Sequence, residues 1–455
     1  MNTGRNGPNI LEPLDFKKIC HLALWYSIAI FVILFFSFDM TFLADDYVYL
    51  ADAVSPSGIG LERFGSYWTR VPVLVAMIWA IFKSKIFEVT WAPMIFFFMA
   101  YAWAFVLFVR YVFHACGEKY SDTSHPRWLS WSMVLLLGAY ILYPTFYEVL
   151  YWPTDMGYAV GALFLAGALT IGRLPRKIAL MTLSFLVSEM FILPAFFFLV
   201  FPVGYKWIKQ ELSDESADKR SEIVKAGMLW VPALILFFGV RLFFRIWFPS
   251  YTYGLSLNLS HIGSQMIDSF FVLASLHFYR VFWVQTVVYW LILITLIVVG
   301  VRRQTLYRGG WIWFAACIIF SASIYWVIDY SARRALFGAN LFVNALFVWL
   351  FAKILISWKQ KAGLFLMGLL VMAFMTHLLL IFSVKDGNVD VLNLKEADLV
   401  QQMTACKDPC IITVSDLDHG FDRDWVLPRD YWTSYLNWVK GKYFPDKAIT
   451  FQIRE

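Results

Sequence analysis

Charge is what this sequence has least of. Only 15% of its 455 residues are Asp, Glu, Lys or Arg, against 60% hydrophobic and 19% aromatic. That balance excludes an ordinary soluble domain, in which about 25% of residues are charged. A bilayer can take the apolar surface instead, in spans of about 20 residues each. The formal charge of +6 is no nucleic-acid signal, because Lys and Arg fall in short loops between apolar runs, where they set orientation. A glycine-rich phosphate loop is also missing, so nucleotide use has no support. His114, His125, His261, His277 and His377 do not fall at metal-ligand spacing. Cysteine is scarce, with five in the chain. Cys20, Cys116 and Cys317 read as ordinary span or loop residues. No small-residue cleavage site follows Leu22–Phe38, which therefore reads as an uncleaved first span. Neither an internal repeat nor a low-complexity tract is present.

What is there predicts an all-α polytopic membrane protein of about eleven transmembrane helices. The N-terminus is expected inside and the C-terminus outside. Asp39–Glu88 forms a first external loop. Its apolar segment R-V-P-V-L-V-A-M-I-W-A-I-F-K is too short for an ordinary span and reads as a helix lying in the interface. Ile178–Val203 carries basic residues at both ends and reads as a short helical hairpin with Glu189 at its tip. Lys206–Lys225 is expected to be cytoplasmic and Pro249–Arg280 to be a second external loop. Leu364–Val384 makes a final outward crossing. This divides the chain into a transmembrane domain, 1–384, and an external domain, 385–455. The tail is polar, with turn signals at K-D-G-N, K-D-P-C, D-H-G and F-P-D-K. C-I-I-T-V-S-D reads as a short strand, giving a small mixed α/β domain. Cys406 and Cys410 in this tail are expected to close a small disulfide loop in an oxidising compartment; the alternative is two unpaired thiols.

Acids near a bilayer are costly and tend to be functional. Asp45 and Asp46 stand just past the first span. A carboxylate there suits a general base that takes the proton of an attacking hydroxyl. Its partner could orient the acceptor, hold a divalent ion or balance charge. The alternative is a solvated pair capping a helix, where Asp is favoured. Glu148 and Asp155 lie in the aromatic loop between the third and fourth spans, and Glu189 at apparent membrane depth. Tyr151 and Trp152 are candidates for stacking on a sugar ring; Tyr47, Tyr49 and other outer aromatics read as an interfacial belt. Arg241 and Arg245 sit one turn apart in the outer half of a span. Arg333 and Arg334 stand at a span mouth. The guanidinium fork holds phosphate well, although snorkelling toward headgroups explains Arg333 and Arg334 equally and Arg241 and Arg245 less well.

These positions form a layout that resembles the GT-C superfamily of integral membrane glycosyltransferases. In that family an acidic pair stands in the first external loop, followed by interfacial helices and partly short spans. Here the pair is Asp45-Asp46, and the hairpin with Glu189 is similar to the family's short fifth and sixth spans. A-D-D-Y-V-Y-L, Y-E-V-L-Y-W-P-T and S-A-R-R look most like bacterial enzymes of the serotype-converting O-antigen glucosyltransferase type. The resemblance covers the chain to about Val384. It implies sugar transfer from a polyprenyl-phosphate donor to a glycan acceptor, such as O-antigen or lipopolysaccharide, on the periplasmic face of the inner membrane. Asp45 would be the general base or its close partner, with Asp46 in support. Glu148, Asp155, Glu189, Tyr151 and Trp152 would contact substrate, and Arg333, Arg334, Arg241 and Arg245 would hold the lipid phosphate. It also implies a flippase and a donor synthase as partners, and no nucleic acid. The tail lacks the W-W-D signature of the oligosaccharyl-transferring members, so no cofactor or essential metal is expected. Two other readings stay open: an O-antigen polymerase or ligase, and a lipid-linked sugar flippase or transporter.

Overall fold

The computed structural model describes residues 11–13, 15–37, 45–55, 57–64, 68, 71–84, 92–117, 124–142, 157–210, 219–247, 262–273, 283–323, 336–358, 361–407, 410–415, 417, 427 and 429–453. In chain order these form β1 (Leu11–Pro13), α1 (Phe16–Ser37), α2 (Asp45–Val54), α3 (Pro72–Lys83), α4 (Ala92–Ala115), β2 (Ser124–Pro126) and α5 (Arg127–Leu142). There follow α6 (Gly157–Thr170), α7 (Leu174–Val187), α8 (Ile192–Gln210), α9 (Lys219–Trp247), α10 (Ile262–Leu273), α11 (Trp283–Arg302), α12 (Arg308–Ser321) and α13 (Phe337–Trp358). The chain ends with α14 (Lys361–Ala405), β3 (Cys410–Val414), α15 (Trp432–Tyr443) and β4 (Ile449–Ile453).

The protein is a helical membrane protein. Among the described residues five helices are long and apolar enough to cross a bilayer: Phe16–Ser37, Pro93–Ala115, Glu189–Lys209, Glu222–Trp247 and Phe337–Ile356. Five shorter apolar helices, α3 among them, accompany these. Ile33, Phe96, Ile235 and Phe365 are exposed around the bundle. Such a surface is a liability in water and a normal outer face in lipid. α13 is the central post, with Phe342, Leu346, Trp349 and Phe351 all fully buried.

Ring contacts fix the direction of travel. Phe16 stacks on Phe113 at 4.3 Å and Phe31 on Phe98 at 3.8 Å, so α1 and α4 run antiparallel. α1 leaves the Phe113 end of the bundle and α4 returns to it. α2 and α3, which come between them in sequence, lie at the far end. α3 is about 18 Å long at 1.5 Å per residue, shorter than a hydrocarbon core of about 30 Å. β1 pairs antiparallel with β2, which ties the N-terminal segment to the loop before α5 at the Phe113 end.

Three expectations are corrected. The predicted hairpin at Ile178–Val203 is part of a larger element: α7 starts at Leu174 and α8 runs on to Gln210. Lys206 and Lys209 continue the helix because Lys is a good helix former whose stem can lie along apolar surface. The loop Pro249–Arg280 contains α10. K-D-G-N at 385–388 does not turn but lies inside the unbroken 45-residue α14. A glycine costs a helix only about 1 kcal/mol, less than breaking a cooperative helix on both sides. At 1.5 Å per residue α14 is about 68 Å long, more than twice a hydrocarbon core of about 30 Å. After it comes a β–α–β unit in which β3 and β4 pair in parallel, Cys410 opposite Ile449.

Candidate active site

The far end gathers the ends of several helices. α2 begins there with Asp45 and Asp46 as its first two residues. Two acids in a first turn lie where the helix dipole favours negative charge. Tyr49 of α2 packs on Phe64 and Phe82, at 5.2 and 5.4 Å, which joins α2 to the turn before α3 and to α3 itself. α3 lies against the start of α6, where Leu74 meets Gly157. Trp68 donates from Nε1 to the Leu61 carbonyl at 3.0 Å. Its ring stacks on Phe244 of α9 at 5.9 Å. The first loop thus touches α9 between Arg241 and Arg245.

Glu189 sits at a designed break. Ser188 is extended and ends α7, and its Oγ accepts from the Met190 N–H at 3.3 Å. One 3-10 turn, Glu189–Phe191, then starts α8. Pro194 in the first turn of α8 needs no N–H partner there. The start of α13 abuts this break: a Cβ on Gly338 would lie 2.6 Å from the Met190 carbonyl oxygen. Only a glycine allows that approach. Glu189 accepts at Oε2 from Arg241 Nη1 at 3.3 Å, the two side chains being 17% and 28% exposed. Arg241 also lies over the Phe237 ring at 5.3 Å. Arg245, one turn on, is exposed. A predicted substrate acid and a predicted phosphate-binding cation are thereby one ion pair. A second pair, Lys206–Glu222 at 3.3 Å, joins α8 to α9 at the opposite end. Glu222 and Arg241 are about 28 Å apart along α9, close to the thickness of a hydrocarbon core.

The C-terminal unit closes over α2. Tyr47, next to Asp46, is 2% exposed. It meets Tyr435 edge to face at 4.9 Å and Trp438 at 5.3 Å. Gly441 comes against Val54, where a Cβ would fall within contact distance of its methyl. α15 is stapled in turn to α14. Glu396 accepts from Lys442 at 2.7 Å and from the Tyr443 hydroxyl at 2.5 Å. Burial alone would lower the Lys442 pKa; its hydrogen bonding to Glu396 and Tyr443 outweighs that and holds the ammonium above its ordinary value. Cys406 and Cys410 form the expected disulfide, Cα to Cα 5.4 Å, between the end of α14 and β3.

The interfacial-belt reading of Tyr47 and Tyr49 is therefore replaced by packing. The signal was in the sequence: Tyr47, Leu50 and Ala53, all buried, recur at helical spacing. Glu148, Tyr151, Trp152, Asp155, Arg333 and Arg334 lie outside the described residues, as do the side chains of Asp45 and Asp46. α6 starts directly after the segment holding Asp155, and α13 shortly after Arg334. Among the described residues no group of three or more His, Cys, Asp or Glu is disposed to hold a metal ion. No family model, curated protein or solved structure matches the chain.

Proposed function

We propose that the protein is a GT-C-type glycosyltransferase that moves a hexose from a polyprenyl-phosphate donor to a glycan acceptor, of the O-antigen or lipopolysaccharide kind. It works at the periplasmic face of a bacterial inner membrane, with about eleven spans, and needs no metal. The observation that carries this reading is that the first loop, whose helix α2 opens with the acid pair, reaches α9 through Trp68 and Phe244, at the same end as the Glu189–Arg241 pair. A transporter would instead gather its polar groups near mid-membrane.

Asp45 or Asp46 takes the proton of the acceptor hydroxyl as its oxygen bonds the anomeric carbon. The bond from that carbon to the phosphate oxygen breaks, and the polyprenyl phosphate leaves with the electron pair. Arg333, Arg334 and Arg245 neutralise the leaving phosphate. Glu189 holds Arg241 in place beside them, while Glu148, Asp155, Tyr151 and Trp152 contact the sugars. A flippase and a donor synthase supply the substrate.

The test is direct. Purified protein receives a polyprenyl-phosphate hexose and an O-antigen acceptor, and sugar transfer is followed. Asp45→Asn and Asp46→Asn are each expected to lower the rate, and the variant lacking the base by about 100-fold or more. Full transfer by both variants would remove the acid pair from the mechanism.

A further inference from the structure

The end of the bundle opposite Glu189 holds a cavity of about 480 Å³, between the last turn of α4, the α6–α7 turn, α8 and the first turns of α9. Leu199, Val203 and Leu229 make its walls apolar, whereas Lys177, Lys206 and Lys225 are cationic. Glu222 is its one acid and is already paired with Lys206. Lys177 and Lys225 have no acidic partner among the described residues. Among the described lining residues three cations stand against one acid around a partly apolar hollow. The α7 N-terminus adjoins it, and no side chain caps that helix, which adds unpaired N–H groups suited to an anion.

A stripe leads away from the cavity along α9. Val224, Met228, Val231 and Ile235 are all exposed and recur at three- and four-residue intervals on one helix face. A water-soluble anion has no use for such a track; an acyl chain does. Snorkelling alone accounts for lysines that reach out to headgroups, but not for a hollow of this size beneath them.

We propose that this cavity is a binding site for the phosphate of an anionic phospholipid of the leaflet at that end, with its acyl chains lying along the α9 stripe. Lys177 and Lys225 hold the phosphate and the Lys206–Glu222 pair forms the fixed edge of the site. The proposal does not depend on the transferase reading.

Native mass spectrometry of the purified protein provides the test, with phosphatidylglycerol, phosphatidylcholine or inorganic phosphate added. Phosphatidylglycerol is expected to stay bound at collision energies that strip phosphatidylcholine. The Lys177→Gln/Lys225→Gln variant should lose that preference, while Lys442→Gln at the other end keeps it. Both variants are first checked for an unchanged elution volume. Equal retention of the two lipids by the unaltered protein would overturn the proposal, as would full retention of phosphatidylglycerol by the double variant. If millimolar inorganic phosphate displaces the lipid, free phosphate is the occupant and the lipid assignment fails.

Discussion

Tyr47 and Tyr435 meet edge to face at 4.9 Å, one from the turn that bears the acid pair and the other from the C-terminal unit. The residue after Asp46 is thus a buttress that the tail holds in place. Tyr435 is fully buried, and its hydroxyl has no hydrogen-bond partner among the described residues. Burial accordingly pushes its pKa up. The two halves of this side chain should behave differently on substitution. Tyr435→Ala removes the ring and is expected to cost about 3–5 kcal/mol, read as a lower unfolding midpoint of the tail. Tyr435→Phe removes only an unsatisfied hydroxyl and should leave stability unchanged or raise it. A drop in stability with Phe would mean that the hydroxyl has a partner.

The Cys406–Cys410 bridge closes a very short loop where α14 hands over to β3. The chain-entropy account gives a loop of this length about 2 kcal/mol. Reduction should loosen β3 and β4, seen as faster amide exchange there, and leave the bundle unchanged. Without reductant, neither cysteine should react with a membrane-impermeant maleimide in intact spheroplasts. Labelling of both would contradict the oxidising compartment assigned to the tail.

Gly338 is the contact through which α13 reaches the Glu189 break. A methyl there would meet the Met190 carbonyl oxygen, a backbone atom that cannot swing aside. Gly338→Ala is expected to destabilise despite the gain in helix propensity of about 1 kcal/mol. Gly227→Ala in α9 is the control: nothing lies within 4 Å of the added methyl, so it should stabilise by up to about 1 kcal/mol. Thermal unfolding of the two variants separates steric approach from propensity.

Local signals explain which features could be read in advance. The membrane class follows from composition, and the shortness of α3, twelve residues, from the length of its apolar run. The break at Glu189 was marked by an acid in an apolar run, and the disulfide by the spacing of Cys406 and Cys410. The docking of the tail on α2 was not legible. It rests on residues about 390 positions apart, Tyr47 and Tyr435, and no local pattern encodes such a pairing. The continuity of α14 was hidden for another reason. Gly and Asn at 387–388 have the chemistry of a turn, yet a long helix with packing along its length overrides it. Arg241 was visible as a cation in a span, but its partner, 52 residues earlier, was not.

That pair carries the sharpest prediction. Glu189 and Arg241 are both mostly buried, so each single neutral variant removes their mutual hydrogen bond and leaves one charge without it. Glu189→Gln and Arg241→Gln are each expected to cost about 1–3 kcal/mol. The double variant loses the same contact only once and should cost less than the sum of the two, a coupling of about 0.5–3 kcal/mol. Sugar transfer separates structure from chemistry. If the pair only braces α9 against the break, the double variant should recover transfer along with stability. If Arg241 also meets the donor phosphate, transfer stays low in the double variant while the unfolding midpoint returns. Purified variants assayed for both quantities decide between the two, and recovery of both would leave Arg241 a positioning residue with no role at the phosphate.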